Sequence, residues 1–228
     1  MILQLIQPLS QSLNSKKAGL LRTTALSKAI VAGLFMLVIL PAQAANEVEK
    51  LLDKEFWGQL YKNGGETFYT GVEFKKKTAL ITYSYVYPAS LIRDHLDCGS
   101  NRQCLRKDET YRKILSDLHN VVPENSNFAF KLKSSVFGEL GDSVEPDQYG
   151  IKLRMNQVDP TNERKGDIAR IIYYMHDTYG LPMFGNEREL ASWNQLDPPS
   201  EAEAIRNDKI SDIQGTRNTY VDNPERIQ

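Results

Sequence analysis

The first 44 residues have the three-part order of a secretory signal peptide, and this order sets the length of chain that is left to fold. They carry four basic side chains and no acid, then an uncharged apolar run, Ala29 to Leu40, and then Ala42-Gln43-Ala44. A basic region, a short apolar core and a small-residue cleavage sequence are the parts of a cleavable export signal. The apolar run is short for a bilayer-spanning helix, which needs about 20 residues. We therefore expect cleavage after Ala44, a mature domain spanning residues 45–228, and a periplasmic or secreted location.

Removal of this signal makes the mature chain mildly acidic. Of the 28 basic and 29 acidic side chains in the whole chain, 24 and 29 remain in residues 45–228. A chain of this length buries a sizeable core as one domain without metal or disulfide support. Its two cysteines, Cys98 and Cys104, are bound for an oxidising compartment and can pair there. Such a short closed loop would stabilise the fold by about 2–3 kcal/mol. The sequence decides neither the pairing nor the oligomeric state.

Hydrophobic spacing predicts a mixed α+β fold. Amphipathic helices are expected over Asn46–Tyr61 and Asp108–Leu118, and a third, with Pro160 at its first position, is expected to run to Gly180. Two segments rich in Thr, Tyr, Val and Ile predict a hairpin around a turn of three lysines; they are Thr67–Phe74 and Thr78–Tyr87. The remaining expectations are an extended piece over Val121–Pro123, a loop over Gly138–Gly150, a strand over Ile151–Met155 and a weak helix over Glu201–Ile213.

Common catalytic motifs give no support for several enzyme classes. The chain has no P-loop, no Gly-x-Gly-x-x-Gly, no Gly-x-Ser-x-Gly and no His-Glu-x-x-His, so a nucleotide cofactor and the usual serine or zinc hydrolase mechanisms are not expected. One segment is locally basic, because Lys75–Lys133 carries 11 basic and 6 acidic side chains. Such an excess is typical of a phosphate-binding face and, equally, of an ordinary solvated surface.

Short segments spread over nearly the whole mature chain point to a known family by their order and spacing. They are Thr67-Phe68-Tyr69-Thr70-Gly71, Tyr111-Arg112-Lys113, Ser116-Asp117-Leu118-His119-Asn120, Ser126-Asn127-Phe128, Gly166-Asp167-Ile168-Ala169-Arg170, Tyr173-Tyr174-Met175, Trp193-Asn194 and Ile213-Gln214-Gly215. In this order they resemble the bacterial endonuclease I family of exported DNases. The resemblance implies a ββα-metal (His-Me finger) core in a mixed, helix-rich α+β domain. It also implies one divalent cation, usually magnesium, held against the scissile phosphate of DNA.

The catalytic segment of that family is altered in this chain. The resemblance implies a His that activates water, a Glu just before it and a later Asn that hold the metal, and an Arg that neutralises the phosphate. The family's Glu-His-Val-Val-Pro-Ala aligns with Ser84-Tyr85-Val86-Tyr87-Pro88-Ala89. Ser84 thus stands at the metal position and Tyr85 at the position of the base. An ordinary Tyr, with a pKa near 10, is a poor base at neutral pH, and a neutral hydroxyl is a weaker ligand for a hard cation than a carboxylate. We therefore expect weakened magnesium binding and catalysis.

The other family positions are also changed. The metal-binding Asn falls in a stretch that is shortened here, and Asn125 is the candidate to replace it. Arg102 matches the family Arg only after a shift. His119 is a catalytic candidate or a structural hydrogen-bonding residue, with Asp117 beside it as an orienting acceptor. A rebuilt site remains open, and its candidate residues are Tyr85, His95, Glu124 and Asn125.

Two functions follow from these substitutions. The first is an exported endonuclease I-type protein whose metal-dependent hydrolysis of DNA is weakened or lost. The second is a noncatalytic exported protein that kept the scaffold and binds nucleic acid or another partner. Neither function involves a membrane after signal cleavage. Any DNA binding should be salt-sensitive, because phosphate contacts release counterions; the candidate contacts are Arg106, Lys107, Arg112, Lys113, Lys131 and Lys133.

Overall fold

The computed structural model describes residues 47–133 and 135–228, so the predicted signal peptide, residues 1–44, lies outside the described residues. In this part of the chain, helices surround three small β-sheets. The helices are α1 Glu47–Leu51, continued by a π-helical segment Leu52–Leu60, α2 Ala89–Leu96, α3 Asn101–Lys107, α4 Glu109–Leu115, α5 Ser126–Leu132, α6 Asn162–Tyr179, α7 Glu187–Leu196, α8 Glu201–Gln214, α9 Thr219–Asp222 and a final 3₁₀ turn Pro224–Arg226. The strands are β1 Gly65–Glu66, β2 Glu73–Phe74, β3 Ile81–Tyr85, β4 Val121–Asn125, β5 Val136–Phe137, β6 Lys152–Arg154 and β7 Gln157–Asp159. The predicted mixed α+β class is confirmed. None of the described helices is both long and apolar enough to cross a membrane.

Helix α6 lies at the centre of the hydrophobic core. Its apolar positions recur at helical spacing, so Ile168, Ile172 and Met175 are all fully buried. Gly180 ends the helix in the left-handed conformation with a φ of 64°, which glycine adopts without steric cost. The predicted helix is confirmed, but the prediction for its first turn is wrong. Asp159 ends strand β7, and Thr161 is the residue that precedes the helix.

The predicted hairpin between Thr67–Phe74 and Thr78–Tyr87 is wrong. The first segment is mostly a turn, in which the Gly71 N–H donates to the Thr67 carbonyl at 3.1 Å, and only its end pairs, as β2 with β1. The second segment forms β3, which pairs instead with β4. Threonine hydroxyls that bond locally explain the turn, since Thr67 and Thr70 share a hydrogen bond of 2.8 Å.

Strands β3 and β4 and helix α5 form the unit that positions the candidate site. The two strands are antiparallel, with Ser84 opposite Val122 and Tyr85 opposite Val121. Helix α5 begins directly after β4, where the Asn125 side chain caps its first turn. The chain between β3 and β4 forms α2, α3 and α4.

A disulfide ties two of these inserted helices together. Cys98 follows α2 and Cys104 lies in α3, and the two residues are bonded with their Cα atoms 5.1 Å apart. Ser100 caps α3 through a reciprocal pair of hydrogen bonds with Gln103, a capping box that satisfies two N–H groups at the start of the helix.

The C-terminal part is more helical than the sequence indicated. The predicted weak helix near Glu201 is the full helix α8, capped by Ser200 and ended by Gly215 in the left-handed conformation. Helices α7 and α9 were not predicted. Both pack on α6, and Trp193 of α7 is almost fully buried.

Candidate functional site

A cleft of about 760 Å³ opens beside the β3–β4–α5 unit. Strand β3, the start of α2 and helix α5 contribute most of its walls, and Glu49 and Asn101 add polar groups from α1 and α3. Ser84 and Tyr85 both line this cleft. The two residues that the alignment placed at the metal and base positions therefore share one accessible cavity.

Ser84 lies in the wall of the cleft with an unused hydroxyl. The residue is only 8% exposed, its hydroxyl makes no hydrogen bond within the described part of the chain, and the oxygen is not among the buried polar atoms that lack a partner there, so it is accessible from the cleft. Ser84 is therefore available to contact a molecule in the cleft.

Tyr85, in contrast, is engaged in the fold. Its hydroxyl donates a hydrogen bond of 3.2 Å to the carbonyl of Leu115, and its ring packs edge-on against Tyr83 at 5.7 Å. Burial, and to a smaller extent the neighbouring Tyr83 and Tyr111, raises the pKa of Tyr85 well above the usual range. A phenol with a raised pKa and a donated proton is unsuited to removing a proton from water.

Arg93 is a cleft residue that the sequence analysis missed. It lies in α2, is partly buried, and lines the same cavity as Ser84. It forms no ion pair among the residues that the structure describes. A signal for it exists in the sequence, because a helix that starts at Ala89 places Arg93 one turn later on the same face.

Arg102 and Asn125 do not reach the cleft. Arg102 is exposed on α3, outside the residues that line the cavity. The Asn125 side-chain oxygen accepts from the N–H groups of Asn127, at 3.0 Å, and Phe128, at 3.4 Å. Its oxygen is therefore used to cap α5, and neither residue contributes to the lining of the cleft.

His119 lines a different cavity, of about 270 Å³, and is not among the residues that line the cleft. The ring Nε2 lies 3.1 Å from the Thr216 carbonyl, and the ring packs on Tyr174 at 4.6 Å. Burial, partly opposed by Asp117, lowers the pKa of His119 to about 4. A neutral, buried imidazole bonded to the backbone favours the structural alternative for His119.

The expectation that Asp117 acts as a hydrogen-bond acceptor is confirmed. Its carboxylate accepts from the hydroxyls of Tyr174, at 2.8 Å, and Tyr179, at 2.7 Å, and from the amide of Gln214. It also accepts from the backbone N–H of His119 at 2.9 Å. These contacts hold the start of β4 against α6 and α8.

Two further residues named for a rebuilt site, Glu124 and His95, lie outside the lining of the cleft. Glu124 is fully buried and accepts from the N–H groups of Tyr69 and Asn125 and from the Thr70 hydroxyl. Its burial raises its pKa, although these hydrogen bonds lower it in part. His95 is exposed on α2 and lies outside the residues that line the cleft.

The basic candidates divide into a cleft residue and residues on other surfaces. Lys133 lines the cleft, with its ammonium 5.6 Å from the centre of the Phe130 ring. Arg112 is engaged with Glu47 at 3.2 Å and with the Leu105 carbonyl at 3.1 Å. The other four lie outside the cleft lining, with Arg106 partly buried and Lys107, Lys113 and Lys131 exposed.

Comparison with known proteins assigns the family. Residues 43–225 match the family described as Endonuclease I. The chain belongs to the endonuclease I family. Three relatives illustrate the similarity. Endonuclease-1 of Buchnera aphidicola subsp. Acyrthosiphon pisum is 30% identical over 156 residues, which cover 64% of this chain and 61% of the relative. Two Aeromonas hydrophila proteins are 26% identical: an extracellular deoxyribonuclease over 227 residues (83% of this chain, 94% of the relative) and a periplasmic deoxyribonuclease over 221 residues (83% and 92%).

The donors in the cleft do not fit the magnesium ion that the endonuclease I resemblance implies. Hard divalent cations favour carboxylate oxygens, whereas the residue that the sequence predicts for the metal position is Ser84. Glu49 is the single acidic side chain among the described residues that line the cleft, and it is exposed. Arg93 and Lys133 line the same cavity and would repel a cation. Within residues 47–133 and 135–228, no group of three or more His, Cys, Asp or Glu side chains is arranged to hold a metal.

Proposed function

We propose that this chain is an exported endonuclease I-type protein whose metal-dependent hydrolysis of DNA is strongly lowered. The observation that carries the proposal is the pair Ser84 and Tyr85 in the wall of the cleft. The order of β3, β4 and α5 supports the view that this cleft corresponds to the ββα-metal site expected from the resemblance. A hydroxyl and a hydrogen-bonded phenol then stand where the family has a carboxylate and a base.

The size of the loss follows from the missing base. A positioned general base contributes about 10² to 10⁴ in rate, and the poor magnesium donors add to that loss. We expect DNA hydrolysis at least about 10²-fold slower than in an intact relative.

The test is a cleavage assay on purified residues 45–228. Plasmid DNA is incubated with the protein and magnesium, beside the extracellular deoxyribonuclease of Aeromonas hydrophila at equal concentration, with EDTA as the blank and RNA as a parallel substrate. Magnesium-dependent nicking far below that of the relative is the expected result. Equal rates of the two proteins on DNA would overturn the proposal.

Noncatalytic nucleic-acid binding is the second candidate function. It is favoured by Arg93 and Lys133, which line the cleft without an ion pair among the described residues. If this second function holds, the protein will bind the DNA in the same incubation without cutting it.

Export is part of the proposal. The basic and apolar order of residues 1–44 supports it, and two of the similar proteins are named as extracellular and periplasmic enzymes. Amino-terminal sequencing of protein from the periplasm or medium should begin at Ala45 or within a residue or two of it. A start at Met1 in a membrane fraction would contradict cleavage.

A further inference from the structure

The cleft contains several hydrogen-bond donors that have no acceptor in the described structure. The first is the hydroxyl of Ser84, whose side chain is more than nine-tenths buried and lines the cavity. This hydroxyl is not among the buried polar atoms that lack a partner in the described residues, so it is accessible from the cleft and can bond to a polar ligand there.

The start of helix α2 provides further donors. Pro88, Ala89 and Ser90 all line the cleft, and no side chain caps this helix. The Leu91 and Ile92 N–H groups bond to the Pro88 carbonyl, but those of Ala89 and Ser90 have no acceptor among the described residues. Free N–H groups and the helix dipole make a helix start favourable for an anion.

Two cationic side chains line the same cleft, and one of them, Arg93, also lies against the Tyr111 side chain. Arg93 lies on the same face of α2 as Ala89, one turn further along, and Lys133, directly after α5, lines the same cleft. Neither forms an ion pair within the described part of the chain. A guanidinium can make two parallel hydrogen bonds to a phosphate. The exposed Glu49 is the one opposing charge among the described lining residues.

We propose that Ser84, the start of α2, Arg93 and Lys133 form a phosphate-ester subsite that binds its ligand without a divalent cation. The inference rests on the proposed function, because it places the nucleic acid in the same cleft. In it, positively charged and N–H groups of the protein neutralise the phosphate. The change from a carboxylate to Ser84 removes a negative charge that would repel a phosphate in the absence of metal.

The neighbouring aromatic side chain indicates the form of nucleic acid. Phe130 is 72% exposed and lines the cleft next to Lys133. Bases of a single strand stack on exposed aromatic rings, and every base has a face that can do so. A single-stranded oligonucleotide is therefore the probe of choice.

The test measures binding of a fluorescent single-stranded DNA oligonucleotide to residues 45–228 by anisotropy, once in EDTA and once in magnesium. The wild type should bind with similar affinity in both. Arg93→Ala should weaken binding about tenfold, since a charge-assisted hydrogen bond contributes that much or more. It should also lower the salt dependence of log affinity by about one unit. Arg188→Ala, at an exposed basic residue of α7 outside the cleft, is the matched control and should bind like the wild type.

Two results would overturn the subsite. One is binding that disappears in EDTA and returns with magnesium. The other is equal affinity of Arg93→Ala and Arg188→Ala, with both variants folded by circular dichroism. Ser84→Ala, which removes only the hydroxyl, should weaken binding less than Arg93→Ala, and unchanged affinity would remove Ser84 from the subsite.

A competition arm separates the two sources of the ligand. Inorganic phosphate that displaces the oligonucleotide from the wild type supports a subsite for free phosphate as well as for the polymer. If inorganic phosphate does not displace the oligonucleotide, and Arg93→Ala still weakens oligonucleotide binding, the subsite binds nucleic-acid diesters alone. The cleavage assay remains independent, because fast cleavage together with binding in EDTA would overturn the proposed function and leave the subsite standing.

Discussion

Restoring the two altered family residues should recover DNA hydrolysis only when both are changed. Ser84→Glu supplies the anionic donor that the cleft lacks, and Tyr85→His supplies a base with a pKa near neutrality. The cavity of about 760 Å³ beside Ser84 has room for the longer side chain. Each change alone leaves the other requirement unmet, so we expect each to recover little.

The expected gain in the rate of DNA hydrolysis follows from the restored base and the restored carboxylate. A restored base contributes about 10²-fold at the lower end, or about 3 kcal/mol of barrier. The double variant should therefore exceed the product of the two single gains, because residues that act as one catalytic unit are non-additive. Loss of the Tyr85 hydrogen bond to Leu115 should cost about 1 kcal/mol of folding stability, which leaves the protein folded.

The assay is plasmid nicking in magnesium, with Ser84→Gln plus Tyr85→His as the matched control. Glutamine has the shape of glutamate without its charge, so the control isolates the carboxylate. Equal activity of the two double variants would refute the reasoning about the missing anionic donor. An inert Ser84→Glu plus Tyr85→His variant would locate the decisive loss in the shortened segment before Ser126.

Three further predictions test the surrounding structure. The pKa of His119 is about 4 in the folded protein and about 6.5 in the unfolded chain. The neutral ring therefore stabilises the fold above pH 6.5, and this stabilisation is lost as the pH falls toward 4. Urea unfolding should therefore show about 2 kcal/mol more loss between pH 7 and pH 5 for the wild type than for His119→Gln, and equal losses would contradict the burial of a neutral ring. Replacing Cys98 and Cys104 by serine should lower the free energy of unfolding by about 2–3 kcal/mol; a reducing agent should have no further effect on that variant, and an unchanged midpoint would speak against the disulfide. Changing Arg112 and Lys113 to alanine should weaken DNA binding at low salt less than Arg93→Ala does, because Arg112 is already paired with Glu47, and an equal or larger loss would move the binding face away from the cleft.

The sequence predicted elements well where local pattern alone determines them. The apolar spacing from Ile168 to Met175 and the glycine at position 180 were sufficient to predict α6. The hairpin failed because strand propensity in Thr78–Tyr87 does not identify the partner strand, which lies beyond three helices in β4. Thr67 and Thr70 favour strands by propensity, but their hydroxyls bond within a turn instead.

The candidate site was only partly visible in the sequence. The shared Pro88-Ala89 was sufficient to place Ser84 and Tyr85 on one segment, and both line the cleft. Arg93 was missed because no helix was predicted after Pro88. Asn125 was chosen by type and position, whereas its role as the cap of α5 depends on where that helix begins. His119 lies next to β4 in sequence, yet its ring turns to the other cavity.

A metal titration tests the central claim, that the endonuclease I site of this chain binds a divalent cation only weakly. Manganese, a spectroscopic substitute for magnesium, is titrated into residues 45–228 and followed by electron paramagnetic resonance, with Ser84→Ala as the paired variant. We expect the wild type and Ser84→Ala to bind manganese alike, without a saturable site that depends on Ser84. A saturable site in the wild type that disappears in Ser84→Ala would contradict it.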